Sequence, residues 1–216
     1  MYIPAHFEER DVAKLHAAII AYPFGTIVID SPSGLIPSHV PIMLEPERGE
    51  LGSLLFHVAK ANPQWRAVTP ETEALAIFLG PHAYVSPSWY PTKRESGKVV
   101  PTWNYVAVHA YGPLEIITEP DALRDLVTRL TAEHEANMPA PWAPADAPAE
   151  FIDGQLRAIV GLRMPIRRLA GKWKVGQNRP EPDRLGAIAA LEASPIASDR
   201  ATAAEMRSRL ATEDSR

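Results

Sequence analysis

The sequence predicts a mainly β protein with peripheral helices, an α+β fold built around a barrel or a sandwich. Short apolar or alternating segments, separated by turn residues, follow one another from residue 24 to residue 118, as antiparallel strands do. The regular alternation of strands and helices that a parallel sheet needs is missing from the pattern. The 22 prolines favour short elements and ordered loops.

The N-terminal half begins with a helix and continues with strands. Asp11 can cap a helix over Asp11–Ala21, because apolar residues then recur at helical spacing, and Pro23 ends it. The longest candidate strand, Val99–Thr118, alternates well from Trp103 onward. Other strands are predicted over residues 24–29, 35–44, 54–58 and 74–79, with a turn at Ser31-Pro32-Ser33-Gly34.

The C-terminal half begins with two predicted helices, Asp121–Glu135 and Ala149–Arg157, separated by a proline-rich loop. A strand over Ile159–Leu169 follows. After Pro180 the composition changes to alanine and charged residues, with possible helices around residues 184–191 and 202–210. We expect residues 1–191 to form the main domain and residues 192–216 a charged, alanine-rich C-terminal tail.

Composition limits the classes of function. The chain has 216 residues, a formal charge of −4 and no cysteine. The acidic balance gives no general attraction to nucleic acid, and the lack of cysteine excludes thiol catalysis, disulfides and thiolate metal sites. His134-Glu135 lacks the second histidine of a zinc motif, so no metal site is expected. The N-terminus does not resemble a signal peptide and no apolar run is long enough to span a membrane, so we expect a cytoplasmic protein.

The densest group of aromatic residues lies in two segments, Gly80–Pro91 and Val100–Tyr111. Tryptophan, tyrosine, asparagine and hydroxyl side chains stand there between prolines, whereas a core strand needs only aliphatic residues on one side. Rigid aromatic surface beside hydrogen-bonding groups suits a flat ligand with polar edges. An aromatic cluster on an edge strand is the alternative.

The segment His57–Trp65 predicts an anion site. A strand ends near Val58, Asn62 is a good helix N-cap, and the proline after it is favoured at the first helical position. The first turn of this helix would offer free N–H groups beside Lys60, which suits a phosphate. A plain helix cap with a solvated lysine is the alternative, and His57 alone is more often a structural histidine than a ligand.

Two further segments carry polar groups on predicted strands. The motif Ser38-His39-Val40-Pro41 indicates an edge strand or the rim of a ligand site, with a core histidine as the alternative. In extended conformation, Trp173 and Gln177 share one face of the segment Lys172–Asn178, and its lysines lie on the other. An exposed basic turn is the alternative there.

These segments, together with Met1–Phe7, resemble in their order the PaiB family of FMN-binding negative transcriptional regulators. The resemblance covers roughly residues 1–191. The sequence departs from the family pattern at Pro37, before Ser38, and at Val175-Gly176, where Leu-Ser is more usual.

The resemblance implies an FMN-binding split β-barrel that forms a homodimer with flavin sites at the subunit interface. It places the FMN phosphate near Lys60, with His57 and Asn62 beside it. Thr102, Trp103 and Asn104 would reach the flavin ring from the partner subunit. The cofactor-binding residues implied in this way are Ser38, His39, Val40, Pro41, His57, Lys60, Asn62, Thr102, Trp103, Asn104, Lys172, Trp173 and Gln177.

Three functions remain open from the sequence. One is a flavin-binding regulator that lowers transcription, directly through DNA or through a regulatory partner. Another is an FMN-dependent oxidoreductase, linked to flavin or NAD(P)H, and a third is a dimeric scaffold with a vestigial pocket. No helix-turn-helix with a basic recognition helix is visible, so the regulator role follows from the resemblance alone. No catalytic acid or base stands out, and any DNA contact would come from Arg163, Arg167, Arg168, Lys172 and Lys174.

Overall fold

The computed structural model of the chain describes residues 1–31 and 34–214, with side chains described to residue 212. It is an α+β fold with two antiparallel sheets. The chain forms two compact units. Unit 1 contains residues 1–21, 79–109 and 170 onward, and unit 2 contains residues 22–78 and 110–169.

The secondary structure elements follow the chain in this order. The strands are β1 (Glu8–Glu9), β2 (Phe24–Ser31), β3 (Gly34–Pro41), β4 (Met43–Glu45), β5 (Ser53–Ala59), β6 (Glu73–Val85), β7 (Thr102–Pro113), β8 (Glu115–Ile117), β9 (Ile159–Pro165) and β10 (Arg168–Lys174). The helices are α1 (Val12–Ala21), α2 (Thr92–Glu95), α3 (Pro120–Glu135), α4 (Ala149–Leu156), α5 (Glu181–Glu192) and α6 (Ala197–Asp214). Short 3₁₀ helices cover Ala5–Phe7, Pro63–Ala67, Pro87–Trp89 and Pro144–Asp146.

Unit 2 contains two groups of paired strands. In one, β2 pairs with β3 and with the first part of β6, so Thr26 lies opposite both His39 and Ile77. In the other, the order is β4-β5-β9-β8, and His57 lies opposite Gly161. The nearly continuous apolar sequence of β5 is buried on both faces. Helix α3 packs its apolar stripe on this second sheet through Leu126 and Leu130, which cluster with Met43 and Leu55.

Unit 1 has its own core, formed where the two C-terminal helices pack against the second part of β6. Ala83 and Val85 of β6 cluster with buried residues of α5 and α6, among them Ile188 and Met206. Helix α5 approaches the backbone of Trp89 closely. A Cβ atom on Gly186 of this helix would lie 2.2 Å from the carbonyl oxygen of Trp89. Only glycine fits this contact without a shift of the backbone.

The predicted helices are confirmed, one by its cap and the others by their positions. Asp11 Oδ1 accepts a hydrogen bond from the backbone N–H of Ala13 at 3.0 Å, so it caps α1 as predicted. Helices α3 and α4 lie within a residue of their predicted bounds. The two C-terminal helices are present as α5 and α6. The placement of a domain boundary after residue 191 stays a prediction.

Other predicted strands are divided or extended. The strand predicted over residues 35–44 is two strands, because Ile42 leaves the ladder and donates its N–H to Pro23 O at 2.9 Å, after which β4 pairs with β5. The strand predicted over residues 99–118 is likewise divided, into β7 and β8, and that over 159–169 ends at Pro165. The strand predicted over 74–79 continues to Val85.

The predicted turn at residues 31–34 lies partly outside the described residues, because Pro32 and Ser33 are not among them. At its ends, Ser31 Oγ donates to Gly34 O at 2.7 Å. Among the residues that the structure describes, no helix combines the length and the apolar character needed to cross a membrane.

Candidate functional site

The turn after β5 is built around the backbone of Lys60. The N–H of Lys60 donates to Ala158 O at 2.7 Å, which anchors the end of the strand. Its carbonyl oxygen accepts from Trp65 Nε1 at 3.0 Å and from the Arg66 guanidinium at 3.1 Å. The Arg66 guanidinium also stacks on the Trp65 ring. The backbone of Lys60 is therefore fixed while its ammonium group lies on an exposed side chain.

Asn62 is the N-cap of the helix that follows, as the sequence predicts. Its Oδ1 accepts from Gln64 N at 2.9 Å, and Pro63 occupies the first helical position. The helix is a 3₁₀ helix of 5 residues. A helix this short carries little dipole, and the N–H of Gln64 is already bonded, so the charge of this site comes from side chains.

Gln64 is a buried residue of this turn that the sequence analysis did not select. It is 0% exposed, and its Nε2 donates to Ile27 O at 3.0 Å and to Ile36 O at 2.8 Å. The amide therefore ties the turn to strands β2 and β3. The Asn-Pro-Gln sequence marks a helix cap, but the partners of the glutamine come from residues 28 and 37 positions away.

The motif Ser38-His39-Val40-Pro41 lies on β3, which ends the order of its sheet. His39 is exposed, and its Nδ1 is hydrogen bonded to Thr26 Oγ1 at 2.9 Å across the strand pair. Ser38 Oγ accepts from Asn62 Nδ2 at 2.9 Å. The structure thus brings Ser38 and Asn62 together, and His39 is an edge-strand residue with a fixed ring instead of a core residue.

His57 lies on β5, three residues before Lys60. It stands opposite Gly161, and a Cβ on that glycine would lie 3.0 Å from Leu126 of α3. Opposite residues of an antiparallel pair share a face, so His57 is on the face covered by α3. Its Nδ1 is buried and has no hydrogen-bond partner among the described residues, and burial lowers the pKa of the imidazole. This favours a neutral ring.

A cavity of about 470 Å³ in unit 2 opens beside Lys60. Trp65 and aliphatic side chains form its apolar surface, and basic and acidic side chains share its polar surface. Arg124 is ion paired with Asp153, which leaves Lys60 and Arg157 as the further cations of the lining. The lining residues are Lys60, Trp65, Thr118, Pro120, Asp121, Leu123, Arg124, Asp153, Leu156, Arg157, Ile159 and Val160.

The remaining predicted residues lie in unit 1, where Thr102 and Trp103 are the accessible ones. Trp103 is 54% exposed, and Thr102 is half-buried. Lys174, which the prediction omitted, donates to Thr102 Oγ1 at 2.6 Å and to the Trp103 carbonyl. Burial first, and then the charges of Lys172 and Arg179, lower the pKa of Lys174. A cation is therefore fixed behind the accessible pair.

Asn104, Lys172 and Trp173 are engaged inside unit 1. Asn104 is 2% exposed and its Nδ2 donates to Met206 Sδ at 3.4 Å. Trp173 is 3% exposed and its Nε1 donates to Glu205 Oε2 at 2.9 Å. Lys172 is 8% exposed and donates to a backbone oxygen, that of Tyr2. Contact of these three side chains with a cofactor stays a prediction.

Gln177 braces the turn after β10. Its Oε1 accepts from Val175 N at 2.9 Å and its Nε2 donates to Trp173 O at 2.6 Å. Gly176 between them has a φ of +89°, a left-handed conformation that favours glycine. The departure from the family pattern at this position therefore has a conformational reason, since a serine there would be strained.

Comparison with known proteins places the chain among flavin-related sequences. Residues 1–168 match the family described as "Putative FMN-binding domain". The protein named "Protease synthase and sporulation protein PAI 2" of Bacillus subtilis is 32% identical over 192 residues, which is 89% of each chain. Uncharacterized protein AN0679 of Emericella nidulans is 34% identical over 227 residues, covering 89% of this chain and 90% of its own.

Solved structures share the fold at low sequence identity. The FAD and heme binding protein of Mycobacterium smegmatis has a TM-score of 0.59 and 16% identity, covering 83% of this chain and 79% of its own. The flavocytochrome Anf3 of Azotobacter vinelandii has a TM-score of 0.60 and 12% identity, with coverages of 85% and 78%. These likenesses confirm the predicted α+β split-barrel class and concern the fold alone.

Proposed function

The chain belongs to the PaiB-type family of FMN-binding domains, and from this premise we propose that it is a flavoprotein that binds FMN. The observation that carries the proposal is the fixed turn after β5, which places Lys60 in the lining of a cavity of about 470 Å³. A phosphate dianion needs a fixed cation and hydrogen-bond donors, and this turn supplies the cation on a rigid backbone.

The phosphate end of the site is proposed at Lys60. Arg157 lines the same cavity and is a second cation for a phosphate that enters it. The volume of about 470 Å³ and the mixed apolar and charged lining suit one end of a nucleotide-sized ligand. The residues present therefore fit the anionic half of FMN.

The ring end is proposed at β3, along Ser38-His39-Val40-Pro41. An edge strand offers unpaired backbone groups, and Ser38 and His39 have their side chains fixed by Asn62 and Thr26. Such groups can bond the polar edge of a flat ring, while Val40 and Pro41 give apolar contact. His57, on the face of β5 that α3 covers, would support the turn that carries Lys60.

We further propose that the protein is a homodimer and that a second copy supplies Thr102–Asn104 to each flavin. Exposed aromatic and aliphatic side chains support an interface, since a monomer gains little by leaving them in water. Trp103 is 54% exposed in unit 1, and Phe24 and Leu35 are 69% and 71% exposed in unit 2. Asn104 would act by holding the strand, because its own side chain is buried.

FMN, when bound, supplies hydride or electron transfer chemistry, and the protein residues bind and orient it. Lys60 would neutralise the phosphate and exclude other orientations. In the subunit that supplies Thr102, Lys174 bonds to the Thr102 hydroxyl and would place a positive charge next to it. This charge would stabilise negative charge on a flavin ring bound against Thr102. This cation is the specific observation that favours an FMN-dependent oxidoreductase as the second candidate function.

The role that we propose for the flavoprotein is negative transcriptional regulation of the PaiB type, which family membership supports. Of the basic residues predicted to contact DNA, Arg163 is held by Glu45, Arg168 stacks on Tyr111 and Lys172 is buried. Arg167 and Arg168 are both exposed in unit 2, and Arg167 is the one that is not stacked on Tyr111. If DNA binds there, affinity should fall steeply with salt and with Arg167→Glu.

The test of the flavin proposal is a titration of purified protein with FMN, followed by flavin fluorescence and absorbance. We expect saturable binding with equal numbers of FMN molecules and chains, and much weaker binding of riboflavin, which lacks the phosphate. Equal affinity for both would contradict a phosphate site. Addition of NADH or NADPH to the loaded protein separates the two roles, because bleaching of the flavin favours the oxidoreductase.

A further inference from the structure

An aromatic recess in unit 1 shares Trp103 with the proposed flavin site, but its other residues have no role there. Strand β6 alternates there, with Ala83 and Val85 buried in the core and His82 and Tyr84 facing outward. Trp103 of β7 is exposed beside them. Tyr84 is 46% and Trp103 54% exposed, so both rings present large surfaces to a ligand.

The rings form the walls of a cavity. The centroids of Tyr84 and Trp103 are 6.0 Å apart with their planes at 70°, and those of His82 and Trp103 are 6.4 Å apart at 35°. Trp89 and the start of α6 close the remaining sides, and the volume is about 400 Å³. The lining residues are His82, Tyr84, Trp89, Trp103, Ile196, Ser198 and Asp199.

The start of α6 is fixed to the strand by reciprocal hydrogen bonds. Ser198 Oγ accepts from His82 N at 3.0 Å and donates to His82 O at 2.7 Å. Asp199 Oδ2 accepts from Ser194 Oγ at 2.6 Å, which orients the carboxylate. The α6 side of the cavity and the Asp199 carboxylate are thus held in place before any ligand binds, which lowers the entropic cost of binding.

The charge of the cavity selects the ligand class. Among its described lining residues Asp199 is the one carboxylate, and neither lysine nor arginine is present. Aromatic faces attract cations, and a carboxylate in the lining adds to that attraction. We propose that this recess binds an organic cation with an alkylated or quaternary ammonium group. The recess shares Trp103 with the proposed flavin site, whereas Tyr84, Trp89 and Asp199 belong to the recess alone, so this inference and the flavin proposal can fail separately.

The test compares choline with 3,3-dimethyl-1-butanol, which has the same shape without the charge. Titration calorimetry of the full chain, as purified, should give about ten-fold or greater preference for choline. Flavin absorbance of the same samples records the cofactor content. Equal binding of the two probes, or no binding of choline at its highest soluble concentration, overturns the proposal whatever the flavin content.

Two variants locate the binding. Asp199→Asn keeps an acceptor for Ser194 and should weaken choline binding about ten-fold without changing the binding of the neutral alcohol. Tyr84→Leu should weaken choline binding to a similar extent, since its ring is on the exposed face of the strand. The matched control, Asp125→Asn on α3, should bind choline like the wild type. Unchanged choline binding in both recess variants places the cation elsewhere and rejects the assignment.

Discussion

Asn62 Nδ2 donates a hydrogen bond to Ser38 Oγ at 2.9 Å, joining two residues that are 24 positions apart. The same side chain caps the short helix after it through Oδ1. One asparagine therefore connects the edge strand β3 to the turn that presents Lys60. In the proposed site, the ring-binding strand and the phosphate-binding turn are held together by this amide.

Asn62→Ala is expected to lower the free energy of unfolding by about 1–3 kcal/mol, because the cap and the bond to Ser38 are both lost. Urea unfolding of the two proteins, followed by tryptophan fluorescence, measures the difference. Ser38→Ala is the matched control, since it removes the bond from Asn62 Nδ2 and keeps the cap on Gln64, and its stability should lie between the two. If Asn62→Ala were as stable as the wild type, neither bond would contribute to the free energy of unfolding.

Glu45 is the centre of an ion-pair network in unit 2. Arg129 approaches its Oε1 at 2.8 Å and Arg163 Nε donates to its Oε2 at 3.0 Å, and the Glu45 side chain is 11% exposed. Burial acts to raise the pKa of this carboxyl, but the hydrogen bonds and charges of the two arginines prevail and lower it below the usual 4.5. The network joins β4, β9 and α3.

Replacement of Glu45 by glutamine should therefore lower the free energy of unfolding at neutral pH, and lower it less in acid. A carboxyl whose folded pKa is lowered stabilises the fold above its unfolded pKa, and this stability is lost as the pH falls through the folded value. We expect Glu45→Gln to destabilise by about 1.5–3 kcal/mol at neutral pH, with the gap to wild type closing below the unfolded pKa of 4.5. Urea unfolding at several pH values measures this gap, with Glu47→Gln as an exposed control. A gap independent of pH would assign the loss to packing.

His57 should make stability depend on pH in the opposite way from a salt-bridged histidine. Burial lowers its pKa below the ordinary 6.5, so as the pH falls the unfolded chain takes up the proton first. Stability is therefore lost as the pH falls from 6.5 towards the folded value, and is constant below it. His57→Leu should remove this component, as followed by chemical unfolding across that range, whereas His134→Leu should retain it. Parallel curves for wild type and His57→Leu would mean that the ring is already solvated.

The parts of the site that sequence reasoning could predict are those with local causes. The helix start at Asn62–Pro63 can be predicted because an N-cap side chain bonds to a backbone N–H two positions away in the sequence. The cap at Asp11 can be predicted for the same reason. His39 is identified as an edge residue because proline excludes its strand from the middle of a sheet. Each of these signals is contained within a few neighbouring residues.

The parts that could not be predicted depend on distant partners. Alternation with a period of two does not reveal which strand is the partner, so the changes of sheet at Ile42 and Leu114 are invisible in the pattern. Asn104 is buried, and its side chain donates to Met206, which lies 102 positions later in the chain. Helix α6 is rich in alanine and has little contrast between its faces, so burial of Ala203 in the core could not be read from its sequence.

Removal of the ammonium group at position 60 is the most direct test of the phosphate site. Lys60→Ala should weaken FMN binding by about 1.5–3 kcal/mol, the usual value of a charge-assisted hydrogen bond, which is roughly ten- to a hundredfold in affinity. The turn is held by the backbone of Lys60, whose carbonyl oxygen accepts from Trp65 and Arg66, so the variant should keep the turn. Riboflavin, titrated in parallel by flavin fluorescence, should be little affected, and Lys98→Ala, an exposed lysine of unit 1, should leave FMN affinity unchanged. An equal loss for FMN and riboflavin would remove the phosphate from Lys60. An undiminished FMN affinity in Lys60→Ala, with a loss in Arg157→Ala, would assign the phosphate to Arg157 in the same cavity.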